Sequence, residues 1–145
     1  MLEDIYMKKI KIVIDTNIFV SAFLGSKNAR LVVKEAINGD FSLVMSKEQL
    51  REIKEVLYRP KFSKYITPAE VDELISLLSM KAIVPVIYEK INDCRDLKDN
   101  MILEEAVYGN AQYIITGDND LLVLNPYKWI KIINLKDFIK DAYDL

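Results

Sequence analysis

The apolar run Ile10-Lys11-Ile12-Val13-Ile14 stops on a carboxylate, Asp15, and after Thr16-Asn17 the chain turns apolar again. A strand that hydrophobic is buried on both faces, the condition of a strand inside a parallel sheet with a layer on each side. Asp15 then stands at the strand's carboxyl end, and in open α/β sheets that edge is where ligands bind. The pattern returns further along, where Tyr113-Ile114-Ile115 runs into Thr116-Gly117-Asp118-Asn119-Asp120. Two acidic strand ends facing one crevice, in a chain without histidine, describe a site built from carboxylates. Such donors suit a hard divalent cation.

Between these strands the pattern alternates. Ser26 or Asn28 is positioned to cap a helix running to about Asn38, with Gly39-Asp40 as the turn, and Phe41 to Met45 reads as a second strand. Ser46 is the expected N-cap of the next helix, with Gln49 completing a capping box, and that helix stops near Arg59-Pro60. Thr67-Pro68 opens another helix, with Val71, Leu74, Ile75 and Leu78 inward. Ala82 to Tyr88 is a strand candidate that Pro85 confines to a sheet edge. A helix over 97–109, strands over 113–115 and 129–135 and a helix over 136–143 complete the chain. Strands alternating with helices predict one α/β domain spanning 1–145, with a parallel sheet covered on both faces. Met7 offers a second start, which makes residues 1–6 a peripheral extension.

The chain's 145 residues suffice for a core without disulfides or structural metal. Its single cysteine, Cys94, has no partner and no Cys/His cluster suggests zinc, a usage that fits a reducing cytoplasm. No window is apolar enough to span a membrane, and Met1-Leu2-Glu3-Asp4 lacks a basic signal-peptide head. A net charge of −2 argues against a generally basic nucleic-acid coat, though not against a local basic surface.

The carboxylates differ in what else explains them. Asp15 has a structural alternative, capping the helix that follows. On the helix after Ser46, Glu52 falls roughly 110° from the centre of the apolar stripe, against about 150° for Glu48 and about 170° for Glu55. Glu52 is thus at the margin of the buried face; on periodicity alone an exposed glutamate paired with Arg51, Lys54 or Arg59 explains it better. Asp96 and Asp99 flank a helix start, where capping accounts for one of them, and a capping Asp99 still has lone pairs to offer a site. Glu104 and Glu105 are expected in solvent. Asp118 and Asp120 lie in a turn, where aspartates also serve local bonding, and Thr116 fits either the turn or a site. Arg51, Lys54, Arg59, Lys61 and Lys64, interleaved with Tyr58, Phe62 and Tyr65, suit RNA phosphates and bases, and equally suit a solvated helix.

Val13-Ile14-Asp15-Thr16-Asn17, Glu52 with Leu57-Tyr58-Arg59-Pro60-Lys61-Phe62, Asp96-Leu97-Lys98-Asp99-Asn100 and Ile115-Thr116-Gly117-Asp118-Asn119-Asp120 occur in an order that resembles the PIN-domain family. That family comprises small metal-dependent ribonucleases, many of them toxins of toxin–antitoxin pairs. The resemblance implies an α/β/α sandwich around a parallel sheet. It also implies four acids, Asp15, Glu52, Asp99 and Asp118, as catalytic residues and ligands of Mg²⁺ or Mn²⁺, with Asn17 and Thr116 as auxiliary polar groups. Arg51, Arg59, Lys61 and Lys64 become candidate RNA contacts; a small antitoxin is the implied partner and a homodimer the expected assembly. The third motif departs from the family's common form, with Leu97 in place of proline after Asp96. Without histidine, imidazole acid–base cleavage is excluded, and metal-assisted hydrolysis of an RNA phosphodiester is consistent. Two other classes share parts of the pattern. A phosphatase-like enzyme also begins with an aspartate after its first strand, but here Asn17 replaces its second aspartate. A catalytically silent RNA-binding PIN domain would keep the fold without turnover.

Overall fold

A computed structural model describes residues 9–143; the expected extension at 1–6 lies outside them. Four parallel strands form the centre: β1 (Lys11–Ile14), β2 (Ser42–Leu43), β3 (Tyr113–Ile115) and β4 (Lys131–Ile133), in the order β2-β1-β3-β4. Ile12 is registered against both Leu43 and Tyr113, and Ile115 against Ile133. Alternate side chains enter opposite layers, which accounts for the absence of any polar face in β1. Ile12, Ile14, Leu43, Ile115 and Ile133 join one core, packed by α1 (Thr16–Phe23), α2 (Lys27–Asn38), α3 (Lys47–Leu57), α4 (Pro68–Lys81) and α7 (Leu135–Tyr143). Val13, Val44, Ile114 and Ile132 join the other, beneath α5 (Asn100–Tyr108) and α6 (Asn119–Leu122). The result is a mixed α/β fold with helices on both sides of an all-parallel sheet, as expected.

The predicted caps hold, with one substitution of partner. Ser26 caps α2, and Gly39 ends it in the left-handed region at φ 89°, where glycine carries no Cβ penalty. Thr67 and Glu70 form a reciprocal capping box on α4. Ser46 caps α3 by accepting from the Gln49 N–H, but Gln49 does not close the box. Its carboxamide instead donates to the Ile14 carbonyl at 2.7 Å.

Three expected elements change, and two helices appear that periodicity did not assign. Ala82 to Tyr88 is not a strand: it meets the sheet through one parallel bridge between Ile83 and Val44, and the rest stays unpaired, with Val86 and Tyr88 exposed. The second strand is shorter than Phe41 to Met45. Residues 16–23 and 119–122 are helical, because Asp15 and Asp118 cap helices directly beyond their strands. The helix expected over 97–109 begins as a 3₁₀ turn, Leu97–Asp99, before α5. Among the described residues, no helix is long and apolar enough to cross a membrane.

Candidate metal centre

Asp15 lies 7% exposed at the carboxyl end of β1, its own N–H still in the ladder through the Ile115 carbonyl at 3.0 Å. One oxygen, Oδ1, accepts from the Asn17 N–H at 3.4 Å, a long capping bond. The other, Oδ2, accepts from the Thr116 hydroxyl at 2.7 Å. Asp15 therefore caps α1, and its second oxygen is held by the end of β3. Burial pushes its carboxyl above the usual range against the lowering effect of these bonds, and the Asp118 charge pushes the same way.

Thr116, wholly buried at the end of β3, is the hinge between acids. Its hydroxyl donates to Asp15 and accepts from the Asp118 N–H at 3.0 Å. Asp118 in turn caps α6 through the Asp120 N–H at 2.9 Å. Across the crevice, capping the 3₁₀ turn falls to Asp96, whose Oδ1 accepts from the Lys98 N–H. Asp99, at the head of α5, makes no side-chain cap bond, and its Oδ2 is buried with no partner. One carboxylate oxygen from each of Asp96, Asp99 and Asp118 lies within 4.8 Å of the others.

Three carboxyls that close do not all ionise unaided. Burial, a hydrogen bond shared with Asp118 and the Asp118, Asp15 and Asp96 charges push Asp99 up to about 8. Asp118 moves down, through its bond with Asp99 and then, after the opposing effect of burial, the Asp120 N–H and Arg95. Asp99 and Asp118 thus shift in opposite directions about the hydrogen bond they share, as close like charges do. Among the described residues, no lysine or arginine ion-pairs with Asp15, Glu52, Asp99 or Asp118; Arg95, largely solvent-exposed, pairs with Asp120 at 3.2 Å. An all-oxygen donor set with an orphaned buried oxygen fits a hard divalent ion.

Glu52 approaches from α3 and is half-buried, whereas Glu48 and Glu55 are exposed, in the order the helical phase predicts. Its Oε2 accepts from the Thr16 hydroxyl at 3.2 Å, one residue beyond Asp15. Burial raises its pKa most, and the Asp15 charge adds to the rise. Glu52 thus bonds Thr16 and Asp15 bonds Thr116, while the carboxylates that come together among the described residues are those of Asp96, Asp99 and Asp118. Asn17 is placed differently from an auxiliary side chain: it is exposed and reaches Asp15 through its backbone N–H alone.

Beside Glu52 opens a cleft of about 490 Å³ lined by Glu48, Arg51, Glu55, Arg59, Lys98 and Met101. Arg51 and Arg59 are where a basic surface was expected. Lys61 and Lys64 are exposed and do not line this cleft; the Lys61 ammonium lies 5.1 Å from the centroid of the Phe62 ring. Lys98, two residues from Asp96, is a cation that residue spacing did not single out. Glu104 and Glu105, expected in water, are both buried. Glu104 accepts from the Ile91 N–H at 2.9 Å, and Glu105 from the Ser46 N–H at 2.6 Å. Periodicity misses them because α5 is enclosed nearly all round, so its polar positions meet backbone donors from distant segments.

Residues 11–120 match the family model of the PIN domain. The chain is also 34% identical over 149 aligned positions to the uncharacterized protein MJ1680 of Methanocaldococcus jannaschii, the alignment covering 92% of each.

Proposed function

This chain belongs to the PIN-domain family, and we propose that it hydrolyses RNA phosphodiester bonds with a Mg²⁺ or Mn²⁺ ion held by Asp15, Asp99, Asp118 and Glu52. The observation that carries the reading is Asp99, whose buried Oδ2 lacks a partner and whose carboxylate groups with those of Asp96 and Asp118. When bound, such a cation would supply activation of water as a nucleophile and offset charge on the phosphoryl oxygens. The Thr116 hydroxyl fixes the Asp15 carboxylate and the backbone of Asp118, and the Thr16 hydroxyl bonds Glu52. Arg51, Arg59 and Lys98 border the cleft, where flanking phosphates of a single strand meet cations.

The test is cleavage of a labelled single-stranded RNA with Mn²⁺ or Mg²⁺ against EDTA, beside a small phosphomonoester. Metal-dependent RNA cleavage with no phosphomonoester turnover is the expected result. RNA retention without cleavage would favour the silent binding domain, and phosphomonoester turnover the phosphatase-like enzyme.

The biological role that family membership favours is a growth-restraining toxin, acting in the cytoplasm as a homodimer and silenced by a small antitoxin protein. Expression of the chain alone in a bacterial host is expected to slow growth, and the Asp15→Asn form is not. Equal growth at matched protein levels would count against the toxin role and leave the nuclease reading standing.

A further inference from the structure

Glu105 is the carboxyl that this mechanism does not use, and its surroundings do not explain it as packing. It is wholly buried on α5, with Oε1 unpartnered. No ion pair holds it among the described residues. An apolar side chain of similar size would fill the space without the desolvation cost. What Glu105 does hold is the N-terminus of α3, its Oε2 accepting from the Ser46 N–H at 2.6 Å. In an ordinary capping box that acceptor comes from the third residue of the same helix. Here that residue is Gln49, whose Nε2 is turned to the Ile14 carbonyl, with the Thr16 hydroxyl 3.5 Å away, and whose Oε1 has no partner. The first turn of α3 is therefore tied twice, to the end of β1 through Gln49 and to α5 through Glu105. Glu52 lies three residues beyond Gln49, on the same side of the helix. Asp99 heads the helix from which Glu105 reaches across.

We infer that Glu105 is a positioning residue for Glu52, holding the first turn of α3 against α5 so that Glu52 faces the carboxylates around Asp15 and Asp99. This role rests on the reading of that cluster as a cation site. Outer partners that orient ligands in this way commonly change metal affinity by about 10- to 100-fold when removed. Burial pushes the Glu105 carboxyl up to about 8, and the Glu52 and Glu48 charges act in the same direction. Glutamine keeps an acceptor oxygen for the Ser46 N–H and matches the side chain in shape.

The experiment is Mn²⁺ titration of the whole chain by calorimetry at pH 7, comparing Glu105→Gln, which keeps the acceptor, with Glu105→Leu, which fills the space and accepts nothing. Glu105→Gln is expected to keep the wild-type Kd within about twofold and Glu105→Leu to weaken it about tenfold. In a Glu52→Gln background Glu105→Leu is expected to have no further effect, because the two act through one ligand. Should Glu105→Leu fail to fold, Glu105→Asp, a carboxyl one methylene short of Ser46, carries the same expectation. A wild-type Kd in Glu105→Leu, or an undiminished loss in the Glu52→Gln background, would reduce Glu105 to a structural group. A wild-type chain that takes up no Mn²⁺ would overturn the cation site and this role together.

Discussion

At the scale of residues, the account turns on Asp99. Burial first, and then the bond and charge of Asp118, raise its carboxyl to about 8, so in the metal-free protein it keeps a proton that an unfolded chain has lost at neutral pH. A raised folded pKa contributes stability that is present below the ordinary carboxylate range and lost as pH rises toward 8. The metal-free chain is therefore expected to melt lower at pH 8.5 than at pH 5.5. Asp99→Asn should flatten that slope and raise the metal-free melting temperature at pH 8.5, since an amide removes the repulsion. Binding of Mn²⁺ must displace the Asp99 proton, so its protective effect should grow with pH up to about 8. At roughly 100 times Kd the ion would add about 2.7 kcal/mol to the wild type. Calorimetric scans of both proteins, with and without Mn²⁺, check these points. An equal Mn²⁺ response in Asp99→Asn would remove Asp99 from the ligand set. Asp15 stood out in the sequence because Ile12-Val13-Ile14 is apolar on both faces and leaves a terminal carboxylate little structural role beyond a cap. Glu105 was not, because its partner, Ser46, lies in a distant segment and adjacent glutamates look alike until the helix is enclosed.

Among elements, α3 carries the sharpest contrast. Its three glutamates differ in helical phase, and only Glu52 is half-buried and bonded to Thr16. Glu52→Gln is expected to lower metal-dependent turnover about tenfold or more, while Glu48→Gln and Glu55→Gln stay near the wild type. Comparable losses in all three would make the helix a source of surface charge only. The packing of α5 against the sheet gives a separate test of the fold. A Cβ on Gly109 would lie 2.3 Å from Val44 Cγ1 and 2.7 Å from the Glu105 carbonyl oxygen. Gly109→Ala should therefore cost about 1–3 kcal/mol in denaturant unfolding; an unchanged midpoint would mean that α5 sits further from β2. Most elements could be read from apolar period and caps, because propensity and tertiary packing agree along α2, α3 and α4. The segment Ala82 to Tyr88 could not: its β-branched residues satisfy strand propensity, yet only the Ile83 N–H and carbonyl meet the sheet, bonding to Leu43 and Met45.

For the whole molecule, one topological fact gathers the chemistry. Parallel strands point their carboxyl ends the same way, so Asp15 after β1, Ser46 beyond β2 and Thr116 after β3 share one edge of the sheet. Residues far apart in sequence meet there, and α5 and α3 bring Asp99 and Glu52 to the same edge. The order of the acidic motifs could be read from the sequence as a family pattern. The cleft wall of Arg51, Arg59 and Lys98 could not, since three cations from two segments converge only in the folded chain. The central claim is that this edge performs metal-dependent hydrolysis of RNA, and it is tested most directly by the cleavage rate of Asp15→Asn against wild type in Mn²⁺. The account predicts a loss of about 100-fold or more, the scale of removing one preorganised electrostatic group, with unchanged circular dichroism. Cleavage by Asp15→Asn at the wild-type rate would contradict it.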